Sequence, residues 1–395
     1  MSFGRIVANL DFEETLTAEQ GGPRRRLTAR AATSARMLGT LMRVFASGED
    51  RLWLPETVPA GRVSSIPGLR TPQFETGTLR NLSPADDWLA WGETEAVASL
   101  RARDLPNSQR APVSGELPLW ARVWQLPRAI PPVALHVHRR STHVKIADDL
   151  GLEFPGRAVV SSIEALNAHL AAGGAHNSPT GEWILKPMFS AAGRNWIRGI
   201  GTAAERQAKI AAERQFDEGR SLLFEPLLAR VRDIGTSLAI TEAGVEVIGA
   251  HQIEVSSAGK FRGIRIPVRD RDREGDTFPE EALAQGERIG ERLHAIGFRG
   301  ACGIDAWCAK TRGGGLHKEF LGEINARLTF GWLAHAWRSR LSEIGAISAD
   351  GPLDLRTSSE TGPPRAGISL VTPGDHDTLC AWIDPRGRDS APPLL

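Results

Sequence analysis

The sequence predicts a mixed α/β fold (α+β in its mixed sheets), rich in antiparallel strands and preceded by a smaller α/β domain. Three observations carry that prediction. From about residue 140, short apolar runs alternate with amphipathic helical stretches, in an order that sets several strands side by side rather than in a βαβ repeat. Two pairs of strands read as hairpins, closed at Glu242-Ala243-Gly244 and at Arg312-Gly313-Gly314-Gly315. Pro127, Pro131 and Pro132 mark a domain edge near 125–135, after a stretch in which prolines are frequent and periodicity poor.

Composition bounds the rest. A chain of 395 residues holds two or three domains at roughly 100–200 residues each. With 41% hydrophobic and 24% charged residues it is neither a disordered chain nor a coiled coil. The formal net charge of +1 gives no global field for nucleic acid or an anionic membrane. Tyr is absent against 11 Trp, so tyrosine chemistry is excluded. Of 48 basic residues only six are Lys, which draws attention to each Lys that remains. Cys302, Cys308 and Cys380 form no disulfide framework and have no zinc spacing. No apolar run reaches the ~20 residues of a membrane helix, and the N-terminus has no signal-peptide core. A cytoplasmic protein is expected, without nucleic-acid or membrane partners and open to homo-oligomerisation.

The elements follow in order. Residues 5–10 read as a strand, 27–47 as a helix and 51–55 as a strand. Arg24-Arg25-Arg26 reads as a solvated turn. Residues 143–150 are expected as a helix and 157–161 as a strand; Ser161 and Glu164 then form a capping box for a helix to Ala172. The strand Glu182 to Lys186 ends at Pro187, a small-residue loop Ser190-Ala191-Ala192-Gly193 follows, and 196–199 returns. Thr202 and Glu205 cap a helix to Asp217, and 221–228 is a strand ending at a Pro. Strands at 234–241 and 244–255 precede a helix from Thr277 to Ile296. Strands at 302–310 and 316–325 form the second hairpin, and Thr329 caps a helix bearing Trp332, Ala336 and Trp337. Three domains are expected, 1–135, 136–340 and a Pro/Gly/Ser-rich tail 341–395, flexible cover with strands near 367–371 and 379–383.

The residues that carry chemistry converge on the second hairpin. Strand side chains alternate faces, so Glu323 and Asn325 point the same way, and folding about Gly313–Gly315 brings Asp305 opposite 321–323. Two carboxylates and an amide oxygen suit Mg²⁺, which takes oxygen ligands and shares its shell with phosphates. Arg327, two residues on, can take a phosphate or carboxylate bidentately. Lys186 ends a buried strand just before the small-residue loop, whose backbone N–H groups can approach phosphate oxygens; this is not a Walker A string. Lys145 opens a helix, and Glu225 sits where an apolar strand runs into Pro226. His136, His138 and His143 read as structural, and Lys260, Arg262 and Arg265 as lesser substrate candidates.

Together these residues resemble the ATP-grasp superfamily of carboxylate–amine ligases. The resemblance covers roughly 136–340 and rests on Lys145, Lys186 with Ser190–Gly193, Glu225, Asp305 and the closing Glu323-Ile324-Asn325-Ala326-Arg327. It implies an ATP-grasp fold behind a small N-terminal α/β domain that shapes the acceptor pocket. It further implies ATP held by Lys145, Lys186, the backbone of Ser190, Ala191, Ala192 and Gly193, Glu225, Leu227, Leu228 and Asp233. Mg²⁺, or Mn²⁺ in its place, falls to Asp305, Glu323 and Asn325, and catalysis to Lys186 and Arg327. The implied reaction phosphorylates a small-molecule carboxylate and joins it to an amine or similar nucleophile. The alternative is a non-catalytic nucleotide-binding sensor or scaffold with the same cleft.

Overall fold

The computed structural model describes residues 4–21, 27–85, 87–104, 117–190, 195–202, 204–256, 261–267, 277–359, 367–374 and 378–385. Among these residues three sheets organise the chain. The first is parallel, in the order β3-β2-β1-β4, built from β1 (Gly4–Val7), β2 (Arg51–Trp53), β3 (Gln73–Glu75) and β4 (Asp87–Ala90). Helices α1 (Phe12–Glu19) and α2 (Ala29–Gly39), with a 3₁₀ turn at Thr40–Phe45, supply the crossover that parallel β1 and β2 require. Arg5 is fully buried in β1, yet its charge is met by Glu75 at 2.7 Å and its guanidinium lies over Trp88. Arg51 reaches the same Glu75 at 2.7 Å, so one carboxylate ties three adjacent strands. Helix α3 (Glu95–Asp104) follows β4, and α4 (Leu119–Arg122) leads towards the second unit.

Helices α5 (Pro131–His138) and α6 (Arg140–Leu150) open that unit, meeting at Arg139 in extended conformation. A small antiparallel sheet in the order β5-β8-β6-β7 then forms from β5 (Ala158–Val160), β6 (Glu182–Pro187), β7 (Ile197–Ile200) and β8 (Leu222–Pro226). It packs with α7 (Ile163–Ala171) and α8 (Arg206–Asp217) around Trp183, Leu185 and Phe224. Trp183 faces Gly199 across the β6–β7 ladder, and a Cβ at 199 would lie 2.0 Å from the indole, so only glycine lets the ring lie flat there.

The large sheet takes β9 (Ala229–Thr241), β10 (Gly244–Val255), β11 (Phe261–Ile266), β12 (Gly300–Lys310), β13 (Leu316–Asn325), β14 (Leu353–Ser358), β15 (Ile368–Val371) and β16 (Cys380–Asp384). Their order is β13-β12-β9-β10-β11-β14-β16-β15. Helix α9 (Phe278–Ile296) lays Ile289 and Leu293 on Leu238 and Ile240 of β9. Helix α10 (Phe330–Glu343) starts at Thr329, whose hydroxyl accepts from the Trp332 N–H, and buries Trp332, Leu333 and Trp337 in the core shared with the N-terminal unit. Trp332 also donates Nε1–H to Cys302 O at 3.0 Å. The three cysteines are buried and form no disulfide. Among the described residues no helix is long and apolar enough to cross a membrane.

Several expectations change in detail. Helix α7 is capped by Ser162, which accepts from Ala165 N–H, one residue later than the Ser161 box. Helix α8 starts at Arg206 with Glu205 at its N-cap and no side-chain cap bond, so Thr202 caps nothing. Thr277 precedes α9 but bonds to the Glu281 side chain instead of the backbone. Among the described residues the C-terminal strands are three, not two. Through β14 on β11 they continue the large sheet, so 353–358, 368–371 and 380–384 are ladder-bonded core, not flexible cover. Arg62 reaches them from the N-terminal unit, bonding Thr372 O at 2.6 Å and Leu379 O at 3.0 Å.

Candidate active site

Between the small sheet and strands β9, β10 and β12 of the large one lies a cavity of about 690 Å³. Lys186, Trp196 and Glu225 line one wall, Leu227 and Leu228 the crossing from β8 to β9, and Asp233, Glu254 and Trp307 the opposite wall. The antiparallel register sets Ile184 opposite Glu225 and Lys186 opposite Leu223, so Lys186 and Glu225 are diagonal neighbours on one face. They form a buried ion pair. Arg157 adds a second cation, Nε to Glu225 Oε1 at 3.0 Å, and is itself held by Glu319 at 3.3 Å and Leu321 O at 3.2 Å. Burial alone would raise the Glu225 pKa, but the adjacent Lys186 and Arg157 charges overcome it and hold the carboxyl at about 2. Burial lowers the Lys186 pKa, and Glu225 opposes that shift. The ammonium also lies 5.2 Å from the Trp196 ring centroid.

Arg140, at the start of α6, connects the end of β6 to the hairpin. Its guanidinium donates to Pro187 O at 2.5 Å, to Ser190 Oγ at 2.9 Å, to Ser190 O at 2.9 Å and to Glu323 Oε1 at 2.5 Å. Three of these four acceptors lie at the entrance to the small-residue loop and one on the oxygen patch.

On the hairpin, Asp305 lies directly opposite Glu323, and Gly303 opposite Asn325. The register then slips, so that Trp307 meets Glu319 and Ala306 faces an excess of β13 residues. That bulge sits beside the site, where bulges re-aim side chains. Gly322 lies within it, and a Cβ there would come 2.8 Å from Trp307 Nε1 and 3.0 Å from Asp305 O. Asn325 donates Nδ2–H to Asp305 Oδ2 at 3.2 Å. Burial, followed by the facing Glu323 and then Asp233, pushes the Asp305 carboxyl up to about 7, with Arg327 pulling the other way.

This donor set fits a hard divalent cation. Among the described residues no group of three or more His, Cys, Asp or Glu is disposed to hold a metal unaided. Two carboxylates and one amide oxygen are the set that Mg²⁺ uses when substrate phosphates complete its shell. The mutual repulsion of Asp305 and Glu323 is what a cation between them would relieve.

Arg327 is held from the N-terminal unit. Glu13 of α1, 2% exposed, accepts from its Nε at 2.8 Å and lies 2.5 Å from Nη2, while the guanidinium covers the Trp91 ring. His138 Nε2 lies 3.7 Å from the same carboxylate and His138 Nδ1 accepts from Ala326 N–H at 3.2 Å. Burial and the Arg327 and Arg140 charges hold His138 neutral, with its pKa well below the usual value. His143 bonds Val137 O at 3.1 Å. Both histidines are therefore structural.

The structure brings Lys186, Glu225, Leu227, Leu228 and Asp233 to the walls of one cavity and Asp305, Glu323 and Asn325 to one patch of the hairpin, with Ser190 tied to that patch through Arg140. Asp233 lies 2.9 Å from Arg230, whose guanidinium covers Trp307. Lys145 is not brought in. It stands on the exposed face of α6, because the helix turns His143, Ile146 and Ala147 inward, and it lines no cavity beside the site. Arg140, five residues earlier, is the cation that the fold sets against the end of β6. Sequence reasoning missed it because the weight given to scarce Lys hid an Arg; the signal was the pair Arg139-Arg140 at a helix start. Arg157 and Glu13 were missed because both act through long-range pairs. Ala191, Ala192, Gly193 and Lys260 lie outside the described residues. Arg265 is occupied by Asp354 at 3.0 Å and Glu254 at 3.1 Å.

No protein-family model and no curated protein matches this sequence. Solved structures do. The chain is similar to the ADP complex of an N5-carboxyaminoimidazole ribonucleotide synthetase, at 10% identity and a TM-score of 0.53 over 98% of this chain and 93% of that one. It is similar to phosphoribosylamine–glycine ligase from Thermotoga maritima, at 11% identity and a TM-score of 0.52 over 97% and 90%. Biotin carboxylase from Campylobacter jejuni, in its ATP-type complex, aligns at 12% identity and a TM-score of 0.50 over 96% and 86%. The likeness runs nearly from end to end, the C-terminal strands included, and it defines the class: this chain has the ATP-grasp fold, preceded by an N-terminal α/β unit.

Proposed function

We propose that this protein is an ATP-dependent ligase that activates a small-molecule carboxylate as an acyl-phosphate and joins it to an amine or similar nucleophile. The observation that carries the reading is Arg140. One guanidinium binds both the end of the Lys186 strand and Glu323 of the oxygen patch, so the cationic and anionic halves of the cleft are parts of one site. The names of the proteins sharing the fold, a synthetase, a ligase and a carboxylase, agree with it.

Phosphoryl transfer asks the protein mainly for position and charge. Lys186 holds phosphate oxygens while Arg140 ties its strand to Glu323, and Leu227, Leu228 and Trp196 give the base an apolar slot, with Asp233 facing the ribose or substrate. Glu225 acts as a strut: its carboxylate is committed to Lys186 and Arg157, and it fixes the ammonium that meets the phosphates. Mg²⁺, or Mn²⁺ in its place, would be held by Asp305, Glu323 and Asn325 and would supply Lewis-acid polarisation of the phosphoryl oxygens. A carboxylate oxygen attacks the γ-phosphorus, and ADP departs. The amine then attacks the acyl carbon, and phosphate leaves with the electron pair of the C–O bond. Arg327, anchored by Glu13, neutralises charge on the transferred group. The test is a screen of amino acids, amines and small carboxylates for ADP release, with mass spectrometry of the products. ADP release that needs both a carboxylate and an amine supports the reading. ATP binding without any such release defeats it.

A further inference from the structure

A second cavity, of about 470 Å³, lies on the other side of the β6 end, between α1, α2 and residues 187–190. That volume is in the range of small-molecule sites. Leu27, Ala31, Met188 and Phe189 give it an apolar wall; its charged members are Glu13, Glu14, Glu218, Arg139 and Arg220, of which Glu13 is held by Arg327 and Glu218 by Arg220. Two contacts join it to the site described above. Ser190, on its wall, is bonded by Arg140, which also holds Glu323. Glu13, on its wall, holds Arg327. A molecule in this cavity would therefore lie beside the reacting end of the cleft, with Lys186 opening onto the other side.

Arg139 distinguishes this cavity. Its guanidinium stands 5.7 Å from the Phe189 ring centroid, half-buried, and among the described residues no carboxylate pairs with it. The neighbouring arginines are all engaged: Arg140 by Glu323, Arg157 by Glu225 and Glu319, Arg327 by Glu13. A guanidinium over an aromatic ring, paired with no carboxylate and set in the wall of a concave pocket, offers its donor fork to a bidentate anion. A solvated surface arginine needs neither the ring nor the concavity.

We propose that this cavity binds a small amphipathic anion, the second substrate of the ligation, with its carboxylate or phosphate on Arg139 and its apolar body against Phe189 and Met188. The molecule's fate rests on the ligase reading; its binding does not.

The test uses the full-length protein and three probes, 4-phenylbutyrate, phenyl phosphate and the neutral 4-phenylbutanamide, with affinities from ligand-observed NMR and ATP affinity from calorimetry. At least one anion should bind at least tenfold more tightly than the amide, and the preferred anion identifies the group as carboxylate or phosphate. Arg139→Met should weaken that anion at least tenfold, with Arg139→Lys between it and wild type. Ala31→Trp, which fills the cavity without changing its charge, should also abolish anion binding. ATP affinity should stay within about threefold in all three variants. Anions that bind no better than the amide, that fail to bind the wild type at millimolar concentration, or that bind Arg139→Met unchanged overturn the proposal. If Arg139→Met does not fold, Ala31→Trp and Arg139→Lys decide: anion binding equal to wild type in both overturns it. Anion binding without ATP binding would leave this proposal standing and remove the ligase reading; ATP binding without anion binding would do the reverse.

Discussion

Replacing Glu225 by Gln tests the electrostatic frame of the cleft. Glu225 is 3% exposed and accepts from Lys186 and Arg157, both also buried. Glu225→Gln keeps the shape and removes the charge, leaving two buried cations short of a counter-ion. Losing one member of a buried pair typically costs about 3–5 kcal/mol. Linkage gives a second route to the number. The carboxyl lies at about 2 against an ordinary 4.5, a gap that corresponds to roughly 3 kcal/mol. The sign follows from the depressed value: this stabilisation is fully present above about pH 4.5 and is lost as pH falls from there towards about 2. The variant has no such group to titrate, so the wild-type advantage should shrink over that window. Hydrogen exchange of peptides spanning β6 and β8 reads the local effect. At pH 7.5 the variant should exchange on the order of 100-fold faster there, since each 1.4 kcal/mol is about a factor of ten. An acceleration under about fivefold, or a difference that persists unchanged down to pH 3, would refute the buried-pair argument.

Other outcomes follow from the same geometry. Lys186→Met should weaken ATP binding by about 1.5–3 kcal/mol, the worth of a hydrogen bond to a charged group, and Lys186→Arg should not restore it fully, because a planar fork replaces a point charge; calorimetry decides both. Glu323→Gln should abolish turnover and the Mg²⁺ dependence of ATP binding while the circular dichroism spectrum stays that of the wild type. Glu13→Gln should lower kcat at least tenfold with the KM for ATP within about threefold, since Glu13 holds Arg327 and lines no part of the ATP cavity; equal losses in both would point to a general packing defect.

The hairpin was legible because its signals are local. Alternation fixes which residues of β12 and β13 share a face, Gly313–Gly315 fixes the fold-back, and together they set Asp305 against Glu323. The β6 strand with Lys186 was legible for the same reason. What depends on distant pairs was not. Whether Lys145 or Arg140 enters the site is decided by the break between α5 and α6 at Arg139, and that break is fixed by contacts with residues 187–190 and 323. Glu225 reads in the sequence as one of the residues holding ATP, because nothing near it shows that Arg157, 68 residues away, takes one of its oxygens. In the parallel N-terminal sheet β1 and β2 were legible, at 5–10 and 51–55, whereas β3 and β4 were not, being three or four residues long and following Pro72 and Pro84. β14 reads as polar, Leu353-Asp354-Leu355-Arg356, yet Asp354 is fully buried because Arg265 and Arg356 both bond to it.

The central claim is that the cleft passes the γ-phosphoryl group of ATP to a carboxylate. Incubating the protein with Mg-ATP, a pool of carboxylates labelled with ¹⁸O and a pool of amines, then analysing the released phosphate by mass spectrometry, tests it most directly. Acyl-phosphate chemistry delivers one carboxylate oxygen to the phosphate, so ADP and singly ¹⁸O-labelled phosphate should appear together. Unlabelled phosphate, which marks attack by water, or AMP with pyrophosphate in place of ADP, would contradict the account.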